Sequence, residues 1–157
     1  MSNTSKLIIS IVLTVGLGSL GGIFTAAEIP NWFAQLHKPS WNPPNGLFAP
    51  VWTTLYLLMG IALYLVWKSP AAPDPKRWAI IIFIAQFALN FSWSFIFFRQ
   101  HQMGWAFVEI IVLWLAIFCT IVAFSRINKT AAWLLVPYIS WVSFAAILNY
   151  TIWQMNN

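Results

Sequence analysis

Charged side chains are scarce in this chain, which has three acidic and eight basic residues among 157. Charged residues make up 7% of the sequence and hydrophobic residues 61%, whereas a soluble domain has about 25% charged residues. The net charge of +5 does not indicate nucleic acid binding, because the basic residues are scattered through connecting segments and form no patch. The composition predicts an integral membrane protein.

Cysteine, histidine and carboxylates are too few for several kinds of chemistry. The one cysteine, Cys119, excludes an intrachain disulfide, and no metal-ligand spacing exists. No series of carboxylates crosses the apolar segments, which argues against a proton pump or an ion-coupled transporter. No nucleophile has a neighbouring base and no glycine-rich phosphate loop occurs, so we expect neither a conventional enzyme nor a required cofactor.

Five apolar segments each approach the roughly 20 residues that a helix needs to cross the hydrocarbon of a bilayer. They cover approximately residues 6–27, 46–67, 78–98, 104–125 and 132–155. Only the connection at 28–45, called the capping connection below, is long. We therefore predict an all-α fold, with residues 1–157 forming a single transmembrane domain of five helices. A cleaved signal peptide is the alternative for the first segment, but its apolar stretch is longer than such peptides usually have.

The distribution of lysine and arginine predicts how the bundle is oriented. One face would hold six of these residues, Lys6, Lys68, Lys76, Arg77, Arg126 and Lys129, and the other only Lys38 and Arg99. Basic residues favour the cytoplasmic side. We therefore expect a bacterial cell membrane protein with a cytoplasmic N-terminus and the capping connection outside. The stretch HKPSWNPPNGLFAPVW, residues 37–52, has four prolines and two tryptophans, which predicts a stiff cap over a cavity.

Polar and aromatic residues repeat at helical spacing in three of the segments. The repeats are Trp52, Tyr56 and Met59; Gln86, Asn90, Trp93 and Phe97; and Trp141, Ala145, Leu148 and Asn149. Each set lies on one helix face at a similar depth beneath the capping connection. Such faces suit a large, flat, mostly apolar ligand with a polar edge. Packing between helices alone is the alternative interpretation, and it is the commoner use of an aromatic stripe.

Three further features have ordinary structural interpretations. Glu109, inside the fourth segment, is expected to pair with Arg99 or His101 at the membrane interface, with a functional role as the less favoured alternative. Pro137 removes a backbone donor and is expected to bend the fifth helix. Gly18 and Gly22 are four residues apart, which favours a close helix contact either within one protomer or between two.

The chain also resembles a known family, the translocator protein / tryptophan-rich sensory protein family (TspO/MBR, or peripheral-type benzodiazepine receptor). The resemblance covers nearly the whole chain. It rests on Trp32, Leu36, Lys38-Pro39-Ser40-Trp41 and Pro43-Pro44; on Pro50, Trp52, Leu55-Tyr56 and Met59-Gly60; on Ala88-Leu89-Asn90, Trp93 and Phe97-Phe98; on Met103-Gly104-Trp105-Ala106; and on Pro137-Tyr138, Trp141, Phe144-Ala145 and Leu148-Asn149-Tyr150.

The resemblance implies a five-helix bundle, commonly dimeric, with a ligand cavity in the half of the membrane beneath the capping connection. Family members bind porphyrins such as protoporphyrin IX and haem, and in animals cholesterol. The implied ligand-binding residues are Trp32, Trp41, Trp52, Asn90, Trp93, Trp105, Trp141, Ala145 and Leu148. We accordingly expect a homodimeric membrane receptor or carrier that binds a porphyrin or haem for transport, sensing or stress regulation.

Two departures from the family pattern bear on the choice of ligand. Phe33 stands where the family often has tyrosine, and no lysine or arginine follows Tyr150, so the proposed cholesterol motif is incomplete. A porphyrin is therefore favoured over a sterol. Three alternatives remain open: light- and oxygen-dependent breakdown of protoporphyrin IX with Trp52 and Trp141 taking part, binding of cholesterol or another lipid, and a role as a dimeric interaction protein.

Overall fold

The computed structural model describes all 157 residues and contains helices but no strands. The helices are α1 (Asn3–Glu28), α2 (Trp32–Gln35), α3 (Phe48–Lys68), α4 (Pro73–Ser94), α5 (Met103–Ser125), α6 (Lys129–Leu134) and α7 (Val136–Met155). A 3₁₀ turn, Asn45–Leu47, leads into α3, and a π-helical segment, Phe95–Arg99, extends α4. The all-α prediction is confirmed.

Five stretches are long and apolar enough to cross a membrane, as predicted. They are Asn3–Glu28, Asn45–Lys68, Pro73–Arg99, Met103–Ser125 and Lys129–Met155. The third begins at Pro73 and not at Trp78, where the apolar pattern starts. Proline fits the first turn of a helix because its missing N–H would have no partner there, and Asp74 is favourable near the positive end of the helix dipole. The helix therefore extends beyond its apolar part.

The fifth span is interrupted at Leu135, between α6 and α7. Pro137 lies two residues further on and cannot donate to the carbonyl one turn earlier, so the regular hydrogen bonding stops here. The Ile139 N–H then bonds to the Leu135 carbonyl at 3.1 Å and α7 continues. The structure thus places the expected irregularity next to Pro137.

One end of the bundle, which we call the loop face, holds the capping connection, the short connection at residues 100–102 and the C-terminus. Helix α1 packs mainly on α3, α4 on α5, and α5 on α7. A large core, which includes Val66, Ile117 and Phe124, fills much of the bundle. A smaller cluster lies beneath the capping connection and consists of Phe33, Phe97, Phe98, Ala106, Leu148 and Ile152.

Two glycines allow α1 and α3 to approach closely. A Cβ atom on Gly60 would lie 2.9 Å from the Ile11 Cα, and one on Gly18 would lie 2.6 Å from the Tyr56 ring. A Cβ on Gly22 would meet nothing within 4 Å. Gly18 therefore serves a contact within the protomer, and the expected dimer stays a prediction.

Candidate ligand-binding cavity

An aromatic cavity lies directly beneath the capping connection. Eleven of its 13 lining residues are hydrophobic. The lining consists of Thr25, Phe33, Phe48, Trp52, Trp93, Phe97, Phe98, Trp141, Phe144, Ala145, Leu148, Asn149 and Ile152. Its volume is about 40 Å³, against roughly 300 to 1,000 Å³ for typical small-molecule sites. A large ligand can occupy this place only if the surrounding aromatic side chains move apart.

Two buried phenols form hydrogen bonds near Trp52. The Tyr56 hydroxyl donates to the Asn90 Oδ1 at 3.1 Å, and the Tyr138 hydroxyl donates to the Gln86 Oε1 at 2.9 Å. The Trp52 ring stacks on Tyr56, with centroids 5.6 Å apart. These bonds give partners to polar groups that would be costly to leave unpaired in lipid.

One wall of the cavity is fixed by a hydrogen-bonded chain that joins three spans. The Trp93 Nε1 donates to the Asn149 Oδ1 at 3.1 Å, and the Asn149 Nδ2 donates to the Met103 carbonyl at 2.9 Å. The Trp93 ring also stacks on Phe97 at 5.3 Å. Trp93 therefore offers a ligand its ring but not its N–H.

Trp52 and Trp141 keep their N–H groups free. Trp93 and Trp114 are the tryptophans whose indole N–H donates within the chain. Trp52 and Trp141 both line the cavity, and each comes from a different span. An indole is a flat apolar surface with one donor at its edge, so this pair can stack on a flat molecule and bond to its polar groups.

The capping connection is fastened to the C-terminus. The His37 N–H donates to the Asn156 Oδ1 at 2.9 Å, and the Asn156 Nδ2 donates to the His37 carbonyl at 2.8 Å. Nearby, the Lys38 ammonium donates to the Phe33 carbonyl at 2.7 Å and lies over the Phe33 ring. The capping connection is thus held by side chains that hydrogen-bond to its backbone.

A second fastening joins the connection to the α4–α5 turn. The His101 ring stacks on Trp32 with centroids 4.1 Å apart, and its Nε2 lies 3.3 Å from the Glu28 Oε2. His101 is the only non-glycine residue with a positive φ, at 57°. This conformation is uncommon in non-glycine residues, although histidine adopts it more often than most, and here it accompanies the contacts of the ring with Glu28 and Trp32.

Five of the nine residues proposed for ligand binding line the cavity: Trp52, Trp93, Trp141, Ala145 and Leu148. The structure places the other four elsewhere. Asn90 is bonded to Tyr56, Trp32 stacks on His101, and Trp41 packs edge-on against Phe144. Trp105 is 69% exposed and lines a separate groove.

The cavity also includes residues that the sequence reasoning did not propose as ligand contacts. Phe48 precedes Trp52 by four residues and Phe144 follows Trp141 by three, so helical spacing could have found both. Thr25 and Phe33 come from α1 and α2, where no stripe marks the inward face. Phe33, which stands where the family often has tyrosine, brings no hydroxyl to the lining.

A groove between α1 and α3 runs from the lipid-facing surface to the cavity. It shares Thr25, Phe48 and Trp52 with the cavity lining and has a volume of about 210 Å³. Its outer part is lined by small exposed residues such as Gly22 and Ala49. The cavity therefore adjoins this open groove on the side of the bundle as well as the capping connection.

A five-span helical bundle with an aromatic cavity at one end defines an integral membrane protein built around an apolar chamber. The chain belongs to the TspO/MBR family, whose sequence model matches residues 9–154. It is 41% identical to the tryptophan-rich protein TspO of Chlorobaculum tepidum over 97% of this chain and 99% of that protein. It is 40% identical to the protein of the same name from Archaeoglobus fulgidus over 98% of this chain and 99% of the relative. The human translocator protein is 41% identical over 88% of this chain and 82% of its own length. The resemblance inferred from the motifs is confirmed.

Proposed function

We propose that this protein is a membrane receptor or carrier that binds a porphyrin in the aromatic cavity. The observation that carries the proposal is the pair of free indole N–H groups, on Trp52 and Trp141, in an otherwise apolar aromatic lining. A tetrapyrrole has a wide flat face to stack and a polar edge with carboxylates to accept hydrogen bonds. Both features match the two indoles.

Binding requires the cavity to expand, and the α1–α3 groove supplies space next to it. A macrocycle dissolved in lipid reaches Trp52 through this groove once Phe48, which lines both spaces, turns aside. The small residues along α1 leave the route wide. The ligand then lies under the capping connection without having crossed it.

Binding of a ligand in the cavity would also move residues at the loop face. Phe33 lies on the cavity side of the connection, and the Lys38 ammonium bonds to its carbonyl. A ligand that displaces Phe33 therefore shifts the backbone fastened to Asn156 through His37. This coupling supports a sensing role, in which the position of the connection reports whether the cavity is filled.

The test is quenching of tryptophan fluorescence by protoporphyrin IX in the dark, with the protein in detergent. Trp141→Phe and Trp52→Phe each keep an aromatic ring but lose the N–H. A hydrogen bond to a charged acceptor is worth about 1.5 kcal/mol, so we expect each variant to raise Kd about tenfold. Trp133→Phe is the control, since Trp133 is 71% exposed and lies outside the cavity. Unchanged affinity in both cavity variants would rule out this site.

A second candidate function is light- and oxygen-dependent breakdown of the bound porphyrin. It is favoured by the same two indoles, since indole rings are readily oxidised and both border the cavity. Illumination of the complex should then give a new absorbing product with wild-type protein and little with Trp141→Phe at saturating porphyrin. Equal yields from the two proteins would exclude participation of that indole.

For the orientation, we propose a cytoplasmic N-terminus in a bacterial cell membrane. The support is the excess of lysine and arginine in the connections away from the loop face. In a chain carrying Cys119→Ser, a single cysteine is placed in turn at His37 and at Ser69, and each variant is exposed from outside to an impermeant maleimide. Labelling at position 37 alone is expected, and labelling at position 69 alone would reverse the topology.

A further inference from the structure

A groove separate from the aromatic cavity lies at the loop-face end of α5. It is lined by Ile96, Gln100, Gln102, Trp105, Val108 and Glu109 and has a volume of about 330 Å³. None of these residues lines the cavity. We call it the Glu109 groove.

Glu109 is the one acidic residue inside a membrane span for which the cavity and the fastenings of the capping connection give no role. Both of its oxygens are inaccessible to solvent, and neither has a hydrogen-bond partner. The expected pairing with Arg99 or His101 does not occur: neither Glu109 oxygen has a partner, and the His101 ring contacts Glu28 instead. An acidic side chain held in a membrane protein without a partner is costly. A partner from outside the chain would remove that cost.

The position of Glu109 limits what that partner can be. Helix α5 begins at Met103 on the loop face, so Glu109 lies about 9 Å below the start of the helix. Side chains on a helix tilt towards its N-terminus, which here directs the carboxylate back towards the loop face. The partner is therefore met at the depth where lipid headgroups join their acyl chains.

The residues around Glu109 suit a primary ammonium group. Gln100 and Gln102 each bring an amide oxygen that can accept an N–H, and Trp105 brings an indole face, 69% exposed, at the rim. An ammonium has three donors and one positive charge, so one carboxylate, amide oxygens and an aromatic face satisfy it together. Ile96 and Val108 add apolar surface for an attached chain.

We propose that the Glu109 groove binds the ammonium headgroup of phosphatidylethanolamine, which contacts the carboxylate once the Glu109 side chain turns outward into the groove. A lipid is favoured over a soluble amine because the groove lies on the lipid-facing side of the bundle and pairs its polar residues with apolar ones. A primary ammonium is favoured over choline because a quaternary nitrogen has no N–H for the glutamine oxygens. The proposal does not depend on porphyrin binding.

The experiment is native mass spectrometry of the detergent-purified protein with equal amounts of dioleoyl phosphatidylethanolamine and dioleoyl phosphatidylglycerol. We expect the wild-type protein to retain the ethanolamine lipid about tenfold more than the glycerol lipid, as one charge-assisted hydrogen bond would give. Glu109→Gln, which is nearly the same size, should remove this preference. Asp74→Asn is the control, since it makes the same carboxylate-to-amide change at the other end of the bundle, outside the groove, and it should keep the preference.

A second variant covers the event that Glu109→Gln does not fold. Trp105→Leu changes an exposed side chain at the rim and should reduce the preference about threefold, the size of a cation–π contact near a surface. A wild-type protein with no preference would overturn the proposal, and so would a preference that survives Glu109→Gln. Equal retention of dioleoyl phosphatidylcholine would overturn the assignment to a primary ammonium.

Discussion

The two ends of this bundle are built from different side chains and differ in how densely they are packed. Away from the loop face, residues such as Val66, Ile117 and Phe124 are fully buried and fill the space between helices. Beneath the capping connection, aromatic rings meet mostly edge-on or tilted and leave a cavity that adjoins the α1–α3 groove. The comparison teaches that one end holds the helices together by dense packing, while the other end is less densely filled and contains the aromatic cavity. Substitutions at the two ends should therefore separate stability from ligand binding.

The largest expected effect is at Phe124, in the densely packed end. Between helices in lipid the loss comes mainly from packing, so Phe124→Ala should lower the free energy of unfolding by about 3 kcal/mol. Thermal unfolding in detergent measures this. Phe118→Ala on the same helix is the control, because Phe118 is 49% exposed and lipid or detergent can fill its place. The folded fraction of Phe124→Ala should keep wild-type porphyrin affinity, and a large loss of affinity would break the comparison.

The next effect is at Gly60, where α1 and α3 are closest. A Cβ there would lie 2.6 Å from the Thr14 Oγ1 and 2.9 Å from the Ile11 Cα, and a helix backbone cannot shift as easily as a side chain can. Gly60→Ala should therefore cost about 2 kcal/mol of unfolding free energy. Gly22→Ala, with nothing within 4 Å of its added Cβ, should not destabilise the protein. Equal melting temperatures for the two variants would show that the close contact is not needed.

A smaller effect, on ligand release, is expected at Asn156. Asn156→Ala removes both hydrogen bonds that fasten the connection to the C-terminus. Both bonds are exposed to solvent, so at about 0.5 kcal/mol each their loss should speed porphyrin dissociation about fivefold and leave the melting temperature nearly unchanged. The neighbouring Asn157 makes no side-chain hydrogen bond, so Asn157→Ala is the control in a stopped-flow release measurement. A lower melting temperature with unaltered release would assign Asn156 to stability instead.

The smallest effect is expected at Glu28, which pairs with His101 at a partly exposed site. Such pairs contribute about 0.2 to 1 kcal/mol and are screened by salt. Glutamine keeps an acceptor oxygen for the His101 ring, so Glu28→Gln should change porphyrin release by no more than about threefold. A change larger than that of Asn156→Ala would make the His101 fastening the stronger of the two.

The sequence was sufficient to predict the number of spans and three faces of the cavity. Helical spacing puts Trp52, Trp93 and Trp141 at similar depths on defined stripes, and all three line the cavity. Periodicity gives a residue's depth in a span but not the rotation of the span against its neighbours. For this reason nothing in the sequence placed Trp105 in another groove, or Thr25 of α1 in the lining.

The sequence could not predict where the capping connection is attached to the rest of the chain, and the reason is different. Prolines in the capping connection predict stiffness, but stiffness does not say where a segment is attached. His37 and Asn156 are separated by 119 positions in the chain, and neither carries a local pattern that marks the contact. The role of Asn90 was also not predictable from the sequence. Its spacing indicated the cavity side of α4, but its hydrogen bond to Tyr56 depends on how α3 packs against α4.

The α1–α3 groove affects the concentration scale on which ligand affinity should be expressed for this protein. If the proposed porphyrin enters between α1 and α3, past Thr25, Phe48 and Trp52, the bilayer is the reservoir from which it is drawn. Occupancy then follows the mole fraction of ligand in the membrane rather than its concentration in water, by mass action. Adding empty lipid at fixed protein and ligand should dilute that reservoir and empty the cavity, so a dissociation constant for this protein has units of ligand per lipid.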